Sequence, residues 1–215
     1  MQVNILAGGP QQFYPEKIFN QKENWIGVDR GSLFLLRQHI VPQIAIGDFD
    51  SMSKTEFSEI KRLVPKIIQV NPIKDDTDTE LAVSKAFTLL HADEVKIYGA
   101  TGGRQDHFLS NFFMFLKPQF RKYAQQVQLI DRQNVFLFFN PGKHVLLKQP
   151  QYKYLSIVTL GNVGNLTLPD EKYRLHKQSD ENPIVYVSNE FISEKATISF
   201  SAGMVAAIYS RDLPK

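Results

Sequence analysis

The chain has no cysteine, which excludes disulfide frameworks, thiolate zinc sites and cysteine nucleophiles together. Excess charge is scarce as well. A formal net charge of +3 over 215 residues is too weak to argue for nucleic acid or an anionic membrane. No basic stripe interleaved with aromatics marks a nucleic-acid surface either. Long apolar runs are missing: the most apolar, "FFMFL" at 112–116, is far too short to span a bilayer. The opening "MQVNILAGGP" has no basic segment, no long apolar stretch and no small-residue cleavage site, so no secretory leader is expected. These absences lead to the expectation of a cytoplasmic protein with neither membrane nor nucleic acid as partner. Tryptophan occurs once, as Trp25, at the start of an apolar run where a core position is expected.

What remains is ordinary globular material. An apolar fraction of 43% and a charged fraction of 22% give no sign of disorder, and the length suits one large domain or two small ones. The first 117 residues alternate short apolar runs with helical patterns. Runs at 3–8, 25–29, 44–48, 66–70 and 95–99 read as buried strands ending in polar or glycine turns. Ser53 followed by Glu56, and Thr77 followed by Glu80, carry the capping-box signal of a helix start. A third helix is predicted from about 105 until just before Pro118. Strands alternating with helices predict a three-layer α/β/α nucleotide-binding domain with a mostly parallel sheet. From about 126 the segments become short, β-rich and turn-separated, predicting an all-β sandwich. The expected domains are 1–125 and 126–215.

Ligands of open α/β sheets bind outside the carboxyl ends of the strands, and the unusual residues cluster there. Asp29 follows the second strand, "GDFDS" (47–51) the third, "KDDTDTE" (74–80) the fourth and "YGATGGRQDH" (98–107) the fifth. Two carboxylates about 5 Å apart repel by roughly 3 kcal/mol at an effective dielectric near 20, so such a gathering needs a cation or ample solvent. In an extended segment, residues two apart point to one side, so Asp48 and Asp50 can face one ion; Asp50 and Ser51 can instead organise the turn before a helix. Asp78 and Glu80 suit a helix N-terminus, an explanation weaker for Asp75 and Asp76. Hard oxygen ligands from two loops, with neither histidine nor cysteine nearby, suit Mg²⁺. The glycines at 99, 102 and 103 permit close backbone approach to a ligand, and Arg104 offers a fork of donors to phosphate oxygens. Asp106 can orient Arg104, serve the metal or act as a first-turn acid, while His107 reads as structural. Acids for a dication beside glycines and arginine for phosphates point to phosphoryl or pyrophosphoryl transfer.

As a set, GDFDS, the D-x-T-D helix start and GATGGR-x-DH resemble the thiamine pyrophosphokinase family, in this order and at similar separations. The likeness continues through "VSNEF" (187–191) and "ISFSAGMVAAIYS" (198–210) and covers essentially the whole chain. The resemblance implies an α/β domain that binds ATP and magnesium, and a β-sandwich that binds thiamine. It implies a homodimer with active sites at the subunit interface, and attack of the thiamine hydroxyl on the β-phosphorus of ATP with release of AMP. It further implies Asp48, Asp50 and Asp78 as Mg²⁺ ligands and Asp75 beside the metal or the attacking hydroxyl. Asp29, Gly99, Thr101, Gly102, Gly103, Arg104 and Asp106 would surround the nucleotide. Ser188 and Asn189 would serve thiamine, with Tyr173 as a stacking platform. Arg30 stands where many members carry glycine. A related kinase acting on another small alcohol, and a non-catalytic thiamine or nucleotide sensor, are the alternatives; the number of carboxylates argues against the sensor.

Overall fold

The computed structural model describes residues 1–20, 22–71 and 76–213; Asp75 lies outside them. The protein is a mixed α/β chain that divides into two compact units, one of residues 1–114 and 129–132, the other of residues 115–128 and 133–215.

The first unit begins with β1 (Gln2–Leu6), β2 (Asn24–Val28), α1 (Arg30–Arg37), β3 (Ile44–Gly47) and α2 (Lys54–Leu63). It continues with β4 (Ile67–Gln69), α3 (Asp78–Thr88), β5 (Glu94–Tyr98) and α4 (Gln105–Phe113). All five expected strands are present. β1 pairs in parallel with β2 and β5, β2 with β3 and β3 with β4. Both capping boxes form: Ser53 Oγ accepts from the Glu56 N–H and Thr77 Oγ1 from the Glu80 N–H, each glutamate returning a bond to the cap N–H. Such caps satisfy two otherwise orphaned donors apiece, which fixes where α2 and α3 start and so where Asp50 and Asp78 stand.

Two apolar clusters among the described residues help to hold this unit. Leu6, Tyr14, Ile18, Trp25, Leu35, Ile40 and Tyr98 form one; Leu33, Leu36, Ala45, Phe49, Ile60 and Val64 form the other. Trp25 is 1% exposed and donates its indole N–H to the Asn20 carbonyl at 3.1 Å, a core residue as expected. α1, whose Leu33, Leu35 and Leu36 reach both clusters, has too short a pattern to stand out from sequence. The helix predicted to reach residue 117 is α-helical only to Phe113 and tightens to a 3₁₀ turn over Met114–Leu116.

The second unit opens with α5 (Pro118–Arg121) in a segment whose sequence shows only polarity, with proline at its first turn. β6 (Val127–Ile130) straddles the division. β7 (Asn134–Phe139), β8 (Gly142–Leu147), β9 (Tyr154–Thr159), β10 (Val163–Leu168) and β11 (Leu175–Asp180) follow. β12 (Val185–Tyr186), β13 (Lys195–Phe200) and β14 (Val205–Ser210) complete it. β14 lies antiparallel between β7 and β9, and β12 adds to β9. A sandwich-like second sheet runs β11-β10-β13-β8. Alternation buries Leu166, Leu168, Ala196, Ile198 and Phe200 and leaves Asn165, Thr167, Thr197 and Ser199 less buried between them. Among the described residues, no helix is long and apolar enough to cross a membrane.

Candidate functional site

The carboxyl ends of the parallel strands in the first unit surround a cavity of about 1030 Å³. Asp29, Asp48, Asp76 and Asp78 line it, with Arg30, Ser51, Thr77 and Thr79. Gly99, Ala100, Thr101, Gly103, Arg104 and His107 form another stretch of its wall. The acidic and glycine-rich motifs, far apart in sequence, therefore meet at one place.

Asp29 is the most perturbed of these acids. Its backbone is strained, with φ +44° and ψ −125°, a conformation that persists only where the surroundings enforce it. Burial, then the Asp78 carboxylate, then Asp48, push its pKa up to about 7; the Phe49 N–H, 3.4 Å from Oδ1, opposes them. The chain thus gathers negative charge into a partly buried wall, as functional sites do.

Asp48 and Asp50 are not presented as an extended alternation would present them. Phe49 between them has φ +59°, because its ring turns into the core and stacks on Phe57 at 4.8 Å. Asp48 lines the cavity and accepts a hydrogen bond from the Asp50 N–H at 3.1 Å, whereas the Asp50 side chain is exposed and outside the lining. Among the described residues, no three acidic or imidazole side chains form a ready-made metal cage. The hard oxygen donors at Asp48, Asp76 and Asp78 fit a cation such as Mg²⁺ that keeps several waters and shares its shell with substrate phosphates.

The glycine loop after β5 has a partner that sequence reasoning missed. Gly8, Gly9, Pro10, Gln11 and Gln12, directly after β1, also line the cavity. The Gly9 N–H donates to the Gly99 carbonyl at 3.0 Å, and a Cβ on Gly9 would lie 2.2 Å from that oxygen. Tyr14 donates its hydroxyl to the Gly9 carbonyl at 2.8 Å, and its burial raises the phenol pKa above the ordinary range. The paired glycines at a strand end were the available signal. Gly102 lies outside the lining; its φ is +76° and a Cβ there would strike the Phe13 ring at 2.1 Å, so glycine serves loop packing at that position.

Arg104, the residue capping α4, is 74% exposed and held in a fork by Asp106, Nε to Oδ1 at 3.2 Å and Nη2 to Oδ2 at 2.5 Å. That pairing raises the arginine pKa and lowers the aspartate's, so Asp106 orients Arg104. His107, read from sequence as structural, stands exposed on the cavity wall. Arg30 lines the wall as well, tethered by an Nη1 donation to the Ser51 carbonyl at 3.2 Å.

In the second unit, Tyr173 is 57% exposed, with the Lys172 ammonium 5.4 Å from its ring centroid. Asn189, 2% exposed, clasps its backbone: the Tyr173 N–H donates to Asn189 Oδ1 and Asn189 Nδ2 donates to the Tyr173 carbonyl, both at 2.8 Å. Ser188 has φ +57° and donates its N–H to Ser156 Oγ at 3.1 Å. The three residues singled out from sequence are thus brought together, with the Asn189 amide holding Tyr173.

Comparison with known proteins agrees along the whole chain. The family model "Thiamin pyrophosphokinase, catalytic domain" matches residues 15–129, and "Thiamin pyrophosphokinase, vitamin B1 binding domain" matches residues 143–205. A curated thiamine pyrophosphokinase of Bacillus subtilis is 36% identical over 214 residues, 98% of this chain and 99% of the relative. The crystal structure of a thiamin pyrophosphokinase family protein from Enterococcus faecalis superposes with a TM-score of 0.93 at 40% identity, covering 99% of this chain and 100% of that one. A protein from Lactobacillus plantarum gives 0.92 at 44% identity with the same coverage.

Proposed function

The chain belongs to the thiamine pyrophosphokinase family, and on that premise we propose that it transfers pyrophosphate from ATP to the hydroxyl of thiamine, yielding thiamine diphosphate and AMP. The observation that carries the details is the single cavity whose wall combines Asp29, Asp48, Asp76 and Asp78 with two interlocked glycine loops. Gathered carboxylates suit a dication, and close-packed glycine backbone suits phosphate oxygens.

In this reading Asp48, Asp76 and Asp78 on the cavity wall would hold Mg²⁺, Asp50 would join them by turning its exposed side chain inward, and Asp29 would face the nucleotide. Magnesium, when bound, supplies charge neutralisation at the phosphates and holds them in line for attack. Gly99, Thr101 and Gly103 receive the phosphates, Gly102 keeps their loop packed, and Arg104, aimed by Asp106, donates to phosphate oxygens. Tyr173 offers a stacking face to the thiamine rings; Asn189 fixes that platform, and Ser188 and Asn189 serve the same ligand. Residues 1–125 would be the nucleotide domain, a three-layer α/β/α unit with a mostly parallel sheet, and residues 126–215 the thiamine domain. The working form is read as a cytoplasmic homodimer.

Chromatography of ATP, thiamine and Mg²⁺ incubated with the protein tests the reading. Equal amounts of AMP and thiamine diphosphate, dependent on thiamine and abolished by EDTA, are expected. ADP with thiamine monophosphate would show that a different phosphorus is attacked.

A further inference from the structure

We propose that Asp131 is a positioning residue for the transfer, acting through Thr101 to hold the loop at 99–103 ready for the nucleotide. The inference rests on the reading of that loop as the phosphate cradle. Asp131 comes just after β6 and is 7% exposed, as is Thr101. Thr101 Oγ1 donates to Asp131 Oδ2 at 2.8 Å. Thr101 lines the cavity and Asp131 does not, so the carboxylate reaches a ligand only by way of the threonine.

Burying a carboxylate is costly unless its hydrogen bonds are made, and a hydrogen bond to an ionised acceptor is stronger than one to a neutral acceptor. Donation to Asp131 uses the single hydroxyl proton of Thr101 and so fixes the side-chain rotamer. One residue earlier, the Ala100 carbonyl accepts from Asn111 Nδ2 on α4 at 3.2 Å, also in a buried contact. Two successive residues of a loop otherwise made of glycine are thus pinned from two different elements. Glycine leaves a loop many conformations; the anchors select one before any ligand arrives, which lowers the ordering cost of binding.

The test compares Asp131→Ala, Asp131→Asn, Thr101→Val, Thr101→Ser and the double variant Asp131→Ala/Thr101→Val by steady-state kinetics, direct Mg-ATP titration and thermal melting. Losing the charge-assisted bond is expected to raise the ATP KM about tenfold in Asp131→Ala while the thiamine KM stays within about twofold. Asparagine, whose amide oxygen still accepts, should recover most of the loss, and Thr101→Ser should keep nucleotide affinity where Thr101→Val does not. The double variant should be no worse than the worse single one. A lowered melting temperature with unchanged ATP affinity, or additive effects in the double variant, would overturn the proposal. If Asp131→Ala does not fold, the contrast between Thr101→Ser and Thr101→Val decides the matter. A wild-type protein that binds Mg-ATP without forming products would sink the reading of function instead, and the titrations would still decide the role of Asp131.

Discussion

The carboxylates along the first unit's cavity and the hydrogen-bonded carboxylates of the second unit have opposite environments. In the second unit Asp170 accepts from the Thr197 N–H at 2.6 Å and its hydroxyl at 2.8 Å, Asp180 accepts from the Tyr186 hydroxyl, and Glu190 pairs with Lys172 at 2.7 Å. These acids stabilise turns and sheet edges. In the first unit Asp29 is pushed up by burial first and then by Asp78 and Asp48, so neighbouring acids oppose one another along a cavity wall. A fold that tolerates such opposition beside a large cavity is preorganised for something positive. Glu171 shows why the cavity matters: burial and Asp170 raise its pKa to about 7 too, yet it lies outside the lining of the acidic cavity and is a buried acid of the sandwich.

The comparison can be broken most severely at Asp78. Asp78→Asn is expected to cut turnover about 10²–10³-fold, the scale of losing one preorganised electrostatic contact. Its melting temperature should hold or rise, because a neighbour repelling Asp29 is gone. Near-normal turnover would remove the reason for distinguishing the two sets of acids. Next in size, Gly9→Ala forces the two glycine loops apart, since its Cβ would meet the Gly99 carbonyl. A loss of about 1–3 kcal/mol in stability should accompany weaker Mg-ATP binding, read by denaturant melts and titration.

Tyr173 sharpens the contrast from the other unit. Because the ring is exposed, Tyr173→Ala should leave the melting temperature unchanged and raise the thiamine KM about tenfold. Asn189→Ala should raise the same KM and also cost about 1–3 kcal/mol of stability, since it removes both bonds to the Tyr173 backbone. The smallest expected effect is one of pH. Asp29 titrates near 7 in the folded metal-free protein, against an ordinary 3.8. Between those values the native state keeps a proton that the unfolded chain has released. Asp29 therefore lowers stability progressively as pH rises from about 4 to about 7, and no further above that. Melting curves of metal-free protein should show the decline, Asp29→Asn should flatten it, and added Mg²⁺ should stabilise more at the alkaline end.

Much of this was legible because local signals agreed with global ones. The apolar runs ended in Asp or Gly at one sheet edge, and the capping boxes at Ser53 and Thr77 named two helix starts. What escaped depended on tertiary contacts. Phe49 turns into the core at positive φ and so breaks the alternation that would have aimed Asp50 with Asp48. The sequence Leu-His-Lys-Gln-Ser-Asp of β11 shows no alternation, because most of that edge strand is exposed. The Gly8-Gly9 turn gains its meaning only when folding brings it to Gly99, ninety residues on. The clasp between Asn189 and Tyr173, and the pairing of Asp131 with Thr101, are side-chain contacts across 16 and 30 residues that no periodicity encodes.

The most direct test of the difference between the units is Mg²⁺-dependent ATP affinity, measured by calorimetric titration alongside thermal melting for wild type, Asp48→Asn and Asp170→Asn. Asp48→Asn should lose the magnesium-dependent part of ATP binding with its melting temperature intact, and Asp170→Asn should lose melting temperature with ATP binding intact. Undiminished magnesium-dependent binding in Asp48→Asn would contradict the assignment of the first unit's carboxylates to the metal and its nucleotide.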